Sequence, residues 1–155
     1  MRSLSLLALL LLFIGCAPDD PAPPADPAVN DMEDYDVDTA EWQADLQGLP
    51  GFEGVSGSAT AHVRDGRTHV EASVSGAPAD GIHPWHIHEG TCDTGGGIVG
   101  DPGAYPPLEV GDDGQASADA DIDVALEDGA SYHVNVHASP DDLGTVVACG
   151  DLMAN

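Results

Sequence analysis

The sequence predicts an all-β domain: a β-sandwich or flattened barrel of about seven or eight antiparallel strands. Three observations lead there. Apolar and polar residues alternate with a period of two in one segment after another. The 19 glycines and 12 prolines mark frequent turns. Beyond the N-terminal leader, no segment carries a helical apolar stripe longer than a single turn.

Met1 to Gly15 read as a secretion leader, with Arg2 followed by the apolar run Leu4 to Ile14. That run is too short for a permanent bilayer span. Leu12-Phe13-Ile14-Gly15-Cys16 resembles a bacterial lipobox, in which the cysteine is lipidated and becomes the new first residue. Phe13 stands where Leu is usual, and ordinary cleavage near Ala17 is the alternative. Residues 16–39, rich in Pro, Ala and Asp, are expected to form an acidic, disordered tether. The β domain is expected over residues 40–155. A lipid on Cys16 would hold the exported chain at the periplasmic face of an outer membrane or at the cell surface.

A first strand is expected near Trp42–Leu46. Val55–Val74 is the clearest hairpin, because Asp65-Gly66 between alternating segments favours a two-residue type I′ turn. That turn pairs Arg64 with Arg67, Val63 with Thr68 and His62 with His69. Ala59, Ala61, Val63, Val70, Ala72 and Val74 then face a core, while Ser58, Thr60, His62, His69, Glu71 and Ser73 face water. In Ile82–Glu89, Trp85 and Ile87 point one way and His86 and His88 the other. A short strand is expected near Leu108–Val110. Ser117–Leu126 alternates Ala118, Ala120, Ile122, Val124 and Leu126 inward with Asp119, Asp121 and Asp123 outward. Tyr132–Ala138 alternates Val134 and Val136 with His133, Asn135 and His137, and a last strand is expected near Val146–Leu152.

Charge excludes whole classes of partner. The chain has 28 Asp+Glu against 3 Lys+Arg, for a formal net charge of −25. Arg2, Arg64 and Arg67 are the only fixed cations, so no basic patch exists for nucleic acid or an anionic membrane surface. Loss of the leader removes Arg2 and makes the mature chain more acidic still. Such a surface repels itself in dilute solution. Salt screens that repulsion over about 8 Å at physiological ionic strength and over less in brine, so a salt-loving bacterial host is expected.

With Cys16 taken by lipid, Cys92 and Cys149 remain as an even pair that an oxidising compartment would join. No Cys-x-x-Cys spacing supports a thiolate metal site instead. His86 and His88 leave one strand face together, and His137 leaves another strand, also away from the core. Three imidazoles from two strands would suit Cu or Zn, although a solvated polar face produces the same pattern. His62 and His69 face each other with Glu71 close by, for which a wet outer sheet face is a simpler reading than a second metal site. Asp119-x-Asp121-x-Asp123 lacks the glycine and terminal glutamate of a calcium loop and reads as the outer face of a strand.

Here a family resemblance enters. His83-Pro84-Trp85-His86-Ile87-His88-Glu89 resembles the His-Gly-Phe-His-x-His-Glu segment of the copper/zinc superoxide dismutases. Val136-His137-Ala138-Ser139-Pro140-Asp141-Asp142-Leu143-Gly144 is similar to that family's Val-His-(x)3-Asp-Asp-Leu-Gly. Ala148-Cys149-Gly150 resembles its terminal Ala-Cys-Gly, and Gly57 to Ala61 with Val74 to Gly76 resemble its early hairpin. The resemblance covers about residues 40–153. It implies a Greek-key β-sandwich with one copper ion held by His86, His88 and His137. It also implies that His83 braces the strand of His137 and that Asp141 is an outer carboxylate orienting a ligand histidine. Cys92 and Cys149 would be the family's intrasubunit disulfide, tying the loop after His88 to the last strand.

Departures from the family matter as much. Ile98 stands where the family has the histidine that bridges copper and zinc. The zinc loop shrinks to residues 100–107, and the zinc aspartate falls at Ala104, or at Asp112 in a rival alignment. Either way no zinc is expected. The family's active-site arginine falls at Val146. Three neutral imidazoles suit low-coordinate Cu(I), while Cu(II) prefers a tetragonal set and would need water, Glu89 or Asp101 as well. Without the bridging histidine and the arginine, superoxide should be steered poorly to so negative a surface, and no catalytic residue is assigned. The expectation is an extracytoplasmic copper-binding lipoprotein with superoxide as its candidate substrate. The alternatives are non-catalytic copper storage or delivery, and an interaction domain of the chordin type (CHRD), whose His-Ile-His and Asn-Val-His stretches are similar to those here.

Overall fold

In a computed structural model, which describes residues 41–155, the period-two pattern becomes nine strands and no α-helix. The expected leader, Cys16 and the tether lie outside the described residues. In chain order the strands are β1 (Glu41–Gly48), β2 (Ser56–Arg64), β3 (Arg67–Ser75), β4 (Ile82–His83), β5 (Trp85–Glu89), β6 (Leu108–Glu109), β7 (Gln115–Ile122), β8 (Tyr132–Ser139) and β9 (Asp142–Ala154). Seven of them form one antiparallel sheet in the order β5-β8-β9-β1-β2-β3-β7, and β4 and β6 make a small second sheet. The large sheet curls into a half-barrel. The small sheet lies with β4 against β8 and β6 against β7.

The β2–β3 hairpin shows how sequence sets register. Asp65 and Gly66 both take positive φ, 51° and 76°, which is the backbone a type I′ turn requires and which Asp and Gly tolerate best. Arg64 then pairs with Arg67, Val63 with Thr68 and His62 with His69, as the turn chemistry predicts. A slip by one residue would turn Ala59, Ala61, Val70, Ala72 and Val74, all now buried, out to water.

Two segments depart from the simple alternation. Pro84 has no N–H for a ladder, and the Ile82–Glu89 segment changes partners there: β4 pairs with β6, whereas β5 pairs with β8. The Ser117–Leu126 strand ends early, at Ile122. Val124, expected in the core, is 40% exposed. The reason is Thr68. Its buried hydroxyl donates to the Val124 carbonyl at 2.7 Å and accepts from the Leu126 N–H at 3.2 Å, so a side chain replaces the ladder and the chain turns away.

The core runs between the concave face of the large sheet and the loops that close over it. Trp42, Leu46, Val70, Trp85, Ile87, Leu108, Ile122, Val134, Val136 and Val147 are its largest fully buried apolar side chains. Trp42 meets Tyr132 edge-on at 5.5 Å, and Trp85 meets Tyr105 edge-on at 5.3 Å. The Trp85 indole N–H donates to the Pro106 carbonyl at 2.7 Å, so its one polar atom is satisfied.

Cys92 and Cys149 are joined in a disulfide with Cα atoms 6.0 Å apart, tying the loop after β5 to β9. The Cys92 N–H also donates to the Asp151 carboxylate at 2.7 Å. The bridge closes 57 residues of chain. Replacing both cysteines by serine is expected to lower the unfolding free energy by about 4 kcal/mol through loop entropy. Denaturant midpoints measured with and without reductant check this: wild type should fall to the level of the double variant, and the variant should not respond.

Candidate metal centre

Alternation in β5 sends Trp85 and Ile87 into the core and His86 and His88 to the opposite face. That face is not wet. The chain after β5 turns back along the edge of that strand, with Glu89 N–H donating to the Gly97 carbonyl at 2.9 Å and Val99 N–H to the Ile87 carbonyl at 2.9 Å. Ile98 bridges to His88 between those bonds. The close fold-back needs Gly96, where any Cβ would run into the Glu89 carbonyl.

His137 comes from β8, beside a β-bulge that shifts its pairing with β9 at Val136/His137. Bulges re-aim side chains, and here the neighbouring segment fixes the result. The His137 N–H donates to the Pro84 carbonyl at 2.8 Å. His83 Nδ1–H donates to the His137 carbonyl at 2.9 Å. Two adjacent residues therefore grip both backbone groups of His137.

One ligand nitrogen from each of His86, His88 and His137 lies within 4.8 Å of the others. The ring centroids are 5.3 to 5.9 Å apart. Exposure is only 5%, 9% and 5%. Nδ1 of His86, Nε2 of His88 and both ring nitrogens of His137 are buried without a hydrogen-bond partner. Each such orphan costs about 1–3 kcal/mol, and a shared cation would satisfy one nitrogen of each ring. His88 Nδ1–H donates to the Gly96 carbonyl at 3.1 Å, which leaves Nε2 with its lone pair free. These residues could hold a metal ion.

Electrostatics keep the rings ready for a metal. Burial, helped by the neighbouring His137 and His88, pushes His86 down to about 4. Burial also pushes His137 and His133 below the ordinary imidazole range. Neutral imidazole is the form that ligates, so a lowered basicity removes proton competition at neutral pH.

Not every expected residue is at the site. Asp141 lies exposed in the turn between β8 and β9, and among the described residues no histidine hydrogen-bonds to it. The tight Pro140-Asp141 turn carries that carboxylate past the end of the ladder. Glu89 is exposed at the end of β5, and Asp101 is exposed and caps a single 3-10 turn by accepting from Gly103 N–H at 2.9 Å. Ala104 belongs to that same turn, and Asp112 is exposed in the turn before β7. His62 and His69 oppose each other on the outer sheet face, where His69 contacts Asp121 at 2.9 Å.

Two residues at the centre escaped sequence reasoning. Tyr105 packs edge-on to His86 at 5.2 Å and donates its hydroxyl to the Val99 carbonyl at 2.7 Å. His133 stacks on His88 at 5.2 Å. The alternation of β8 already put His133 on the same face as His137; what it lacked was a reason to be counted.

No protein-family model matches this chain, and no curated protein matches it as a relative.

The lowered His86 value gives a signed prediction for the metal-free protein. An unfolded chain protonates this imidazole near its ordinary 6.5, but the folded chain does so only near 4. Between those values the unfolded state binds the extra proton, so stability is full above about pH 6.5 and falls as the pH drops toward 4. The limiting slope is about 1.4 kcal/mol per pH unit. Relative to a His86→Phe variant, metal-free wild type should lose on the order of 2 kcal/mol across that window, read from denaturant midpoints at matched salt. A difference that stays constant with pH would mean that the ring is protonated inside the fold.

Proposed function

We propose that this chain binds one copper ion through His86, His88 and His137, as an extracytoplasmic lipoprotein resembling the copper/zinc superoxide dismutases. The observation that carries this reading is the convergence of three buried imidazoles, each with at least one ring nitrogen that has no hydrogen-bond partner. The donor set supports copper. Among the described residues no carboxylate joins the three rings, and both cysteine sulfurs are spent in the disulfide. An all-imidazole site suits copper, which also heads the affinity order of the divalent first-row metals. The strand order supports a Greek-key, flattened-barrel reading, since β3 is followed in space by β7 and β5 by β8, with β4 and β6 beside the gap.

Copper held there would supply one-electron chemistry. The protein's own residues would do the rest. His86, His88 and His137 would hold the ion, the Gly96 carbonyl would fix the tautomer of His88, and His83 with Pro84 would fix the backbone of His137.

A second reading, copper storage or delivery without fast turnover, is favoured by the charge distribution. Arg64 and Arg67 are the only fixed cations among the described residues, and both flank the β2–β3 turn. Arg67 is paired with Asp123 at 2.6 Å. At the position where the resemblance puts an attracting arginine, Val146 faces His137 across the ladder. A net charge of −25 with no cation at the site would repel superoxide.

Refolding in the presence of copper, followed by metal analysis and spectroscopy of the bound ion, tests the proposal. Wild type should hold one equivalent, and His137→Ala should weaken binding by more than about 100-fold, beyond what losing an indirect support costs. Full copper in His137→Ala would end the site assignment, and no copper in wild type would favour the interaction-domain reading. Superoxide turnover by the loaded protein should lie at least about 100-fold below the diffusional ceiling of about 10⁹ M⁻¹s⁻¹. A rate near that ceiling would overturn the non-catalytic reading.

A further inference from the structure

A fourth histidine lies against the three. His133 of β8 sits directly across from His88 of β5 and is 1% exposed. Its ring stacks on that of His88, with centroids 5.2 Å apart and planes 24° from parallel. The metal-site reading makes no use of it. Its Nδ1 is buried without a partner, and its Nε2 lies 3.3 Å from the Asn135 side-chain amide. Burying an unsatisfied imidazole nitrogen is costly, and a leucine of similar volume would avoid it. His133 is not one of the nitrogen donors that converge. What it does offer His88 is a flat face.

His88 needs one. The torsion that turns an imidazole about its Cβ–Cγ bond has broad, shallow wells. The Gly96 carbonyl restrains only one edge of the His88 ring, through Nδ1 at 3.1 Å. A parallel ring against its face blocks the remaining rotation. We propose that His133 is a positioning residue, steadied by Asn135, whose stacked ring holds the plane of His88 so that Nε2 stays aimed at the ion. This deepens the metal-site reading and rests on it. It assigns His133 no bond to the metal.

Two substitutions separate the flat face from the nitrogen and from simple bulk. His133→Phe keeps a stacking ring without nitrogen, and His133→Leu keeps bulk without a plane. Each is made in the full chain and titrated with copper(II) alone, with thermal melts to establish that it folds. His133→Leu should lose about tenfold or more in affinity and change the copper hyperfine signature, whereas His133→Phe should stay within about threefold of wild type. In metal-free protein, the NMR signals of the His88 ring should broaden in His133→Leu and stay sharp in His133→Phe. Equal behaviour of the two variants overturns the proposal: equal retention would show that stacking does nothing, and equal loss that the nitrogen is what matters. If wild type takes up no copper, the metal reading fails, and the His88 ring signals in metal-free protein still decide the role of His133.

Discussion

The pairing of β5 with β8 in one register, Trp85 against Val136 and His88 against His133, is the constraint on which the rest of the site stands. Side chains alternate across a strand, so that register settles two things together. It sends Trp85, Ile87, Val134 and Val136 into the core, where all four are almost wholly buried. It also gathers His86, His88, His133 and His137 on the opposite face. A one-residue slip would exchange the two sets, placing imidazoles in the core and an indole outside. Apolar burial therefore enforces the histidine arrangement, at roughly 1.5–3 kcal/mol for each large side chain kept from water. Supports for the individual rings are added on top: a carbonyl at His88, an aromatic edge at His86, and a two-sided backbone grip on His137.

The second layer is the segment that returns along β5 beside the histidine face. Without burial the three imidazoles would be an ordinary wet, hydrated surface. Backbone bonds from Glu89 and Val99, together with the Cys92 anchor, hold that segment against the edge of β5. Desolvation lowers the basicity of His86 and His137 and leaves Nδ1 of His86 and both ring nitrogens of His137 without partners. The same fold-back brings Ile98 against His88, so the rim beside the ligands is aliphatic there.

Much of this was legible in the residues, and the parts that were not have physical reasons. Asp65-Gly66 dictates its own turn, so every pair of the hairpin could be written from sequence. Two-residue alternation gave the histidine face, because the period is a property of any strand. Burial of that face was not legible, since it depends on the close approach of Gly96 to Glu89, which no local pattern announces. Val124 looked like a core residue by period alone; the competing contact is the Thr68 hydroxyl, which comes from a strand more than fifty residues earlier. Asp141 matched a motif but sits in a tight turn, where a carboxylate points to solvent. His133 was visible as a member of the face, yet only its stacking on His88 gives it a role.

A curled sheet that does not close has two unpaired borders, and bare strand borders recruit neighbouring molecules into aggregates. This one protects them differently. Along β5 the protein's own returning backbone, at Gly97 and Val99, occupies hydrogen-bonding groups of the border. Along β7, paired in the large sheet only with β3, Asp119 and Asp121 stand outward, and Asp123 follows just past the strand's end. Another copy approaching that border edge to edge would set carboxylate against carboxylate. The acidity that makes these molecules repel one another in dilute buffer also guards the fold against the self-association its open architecture would otherwise invite.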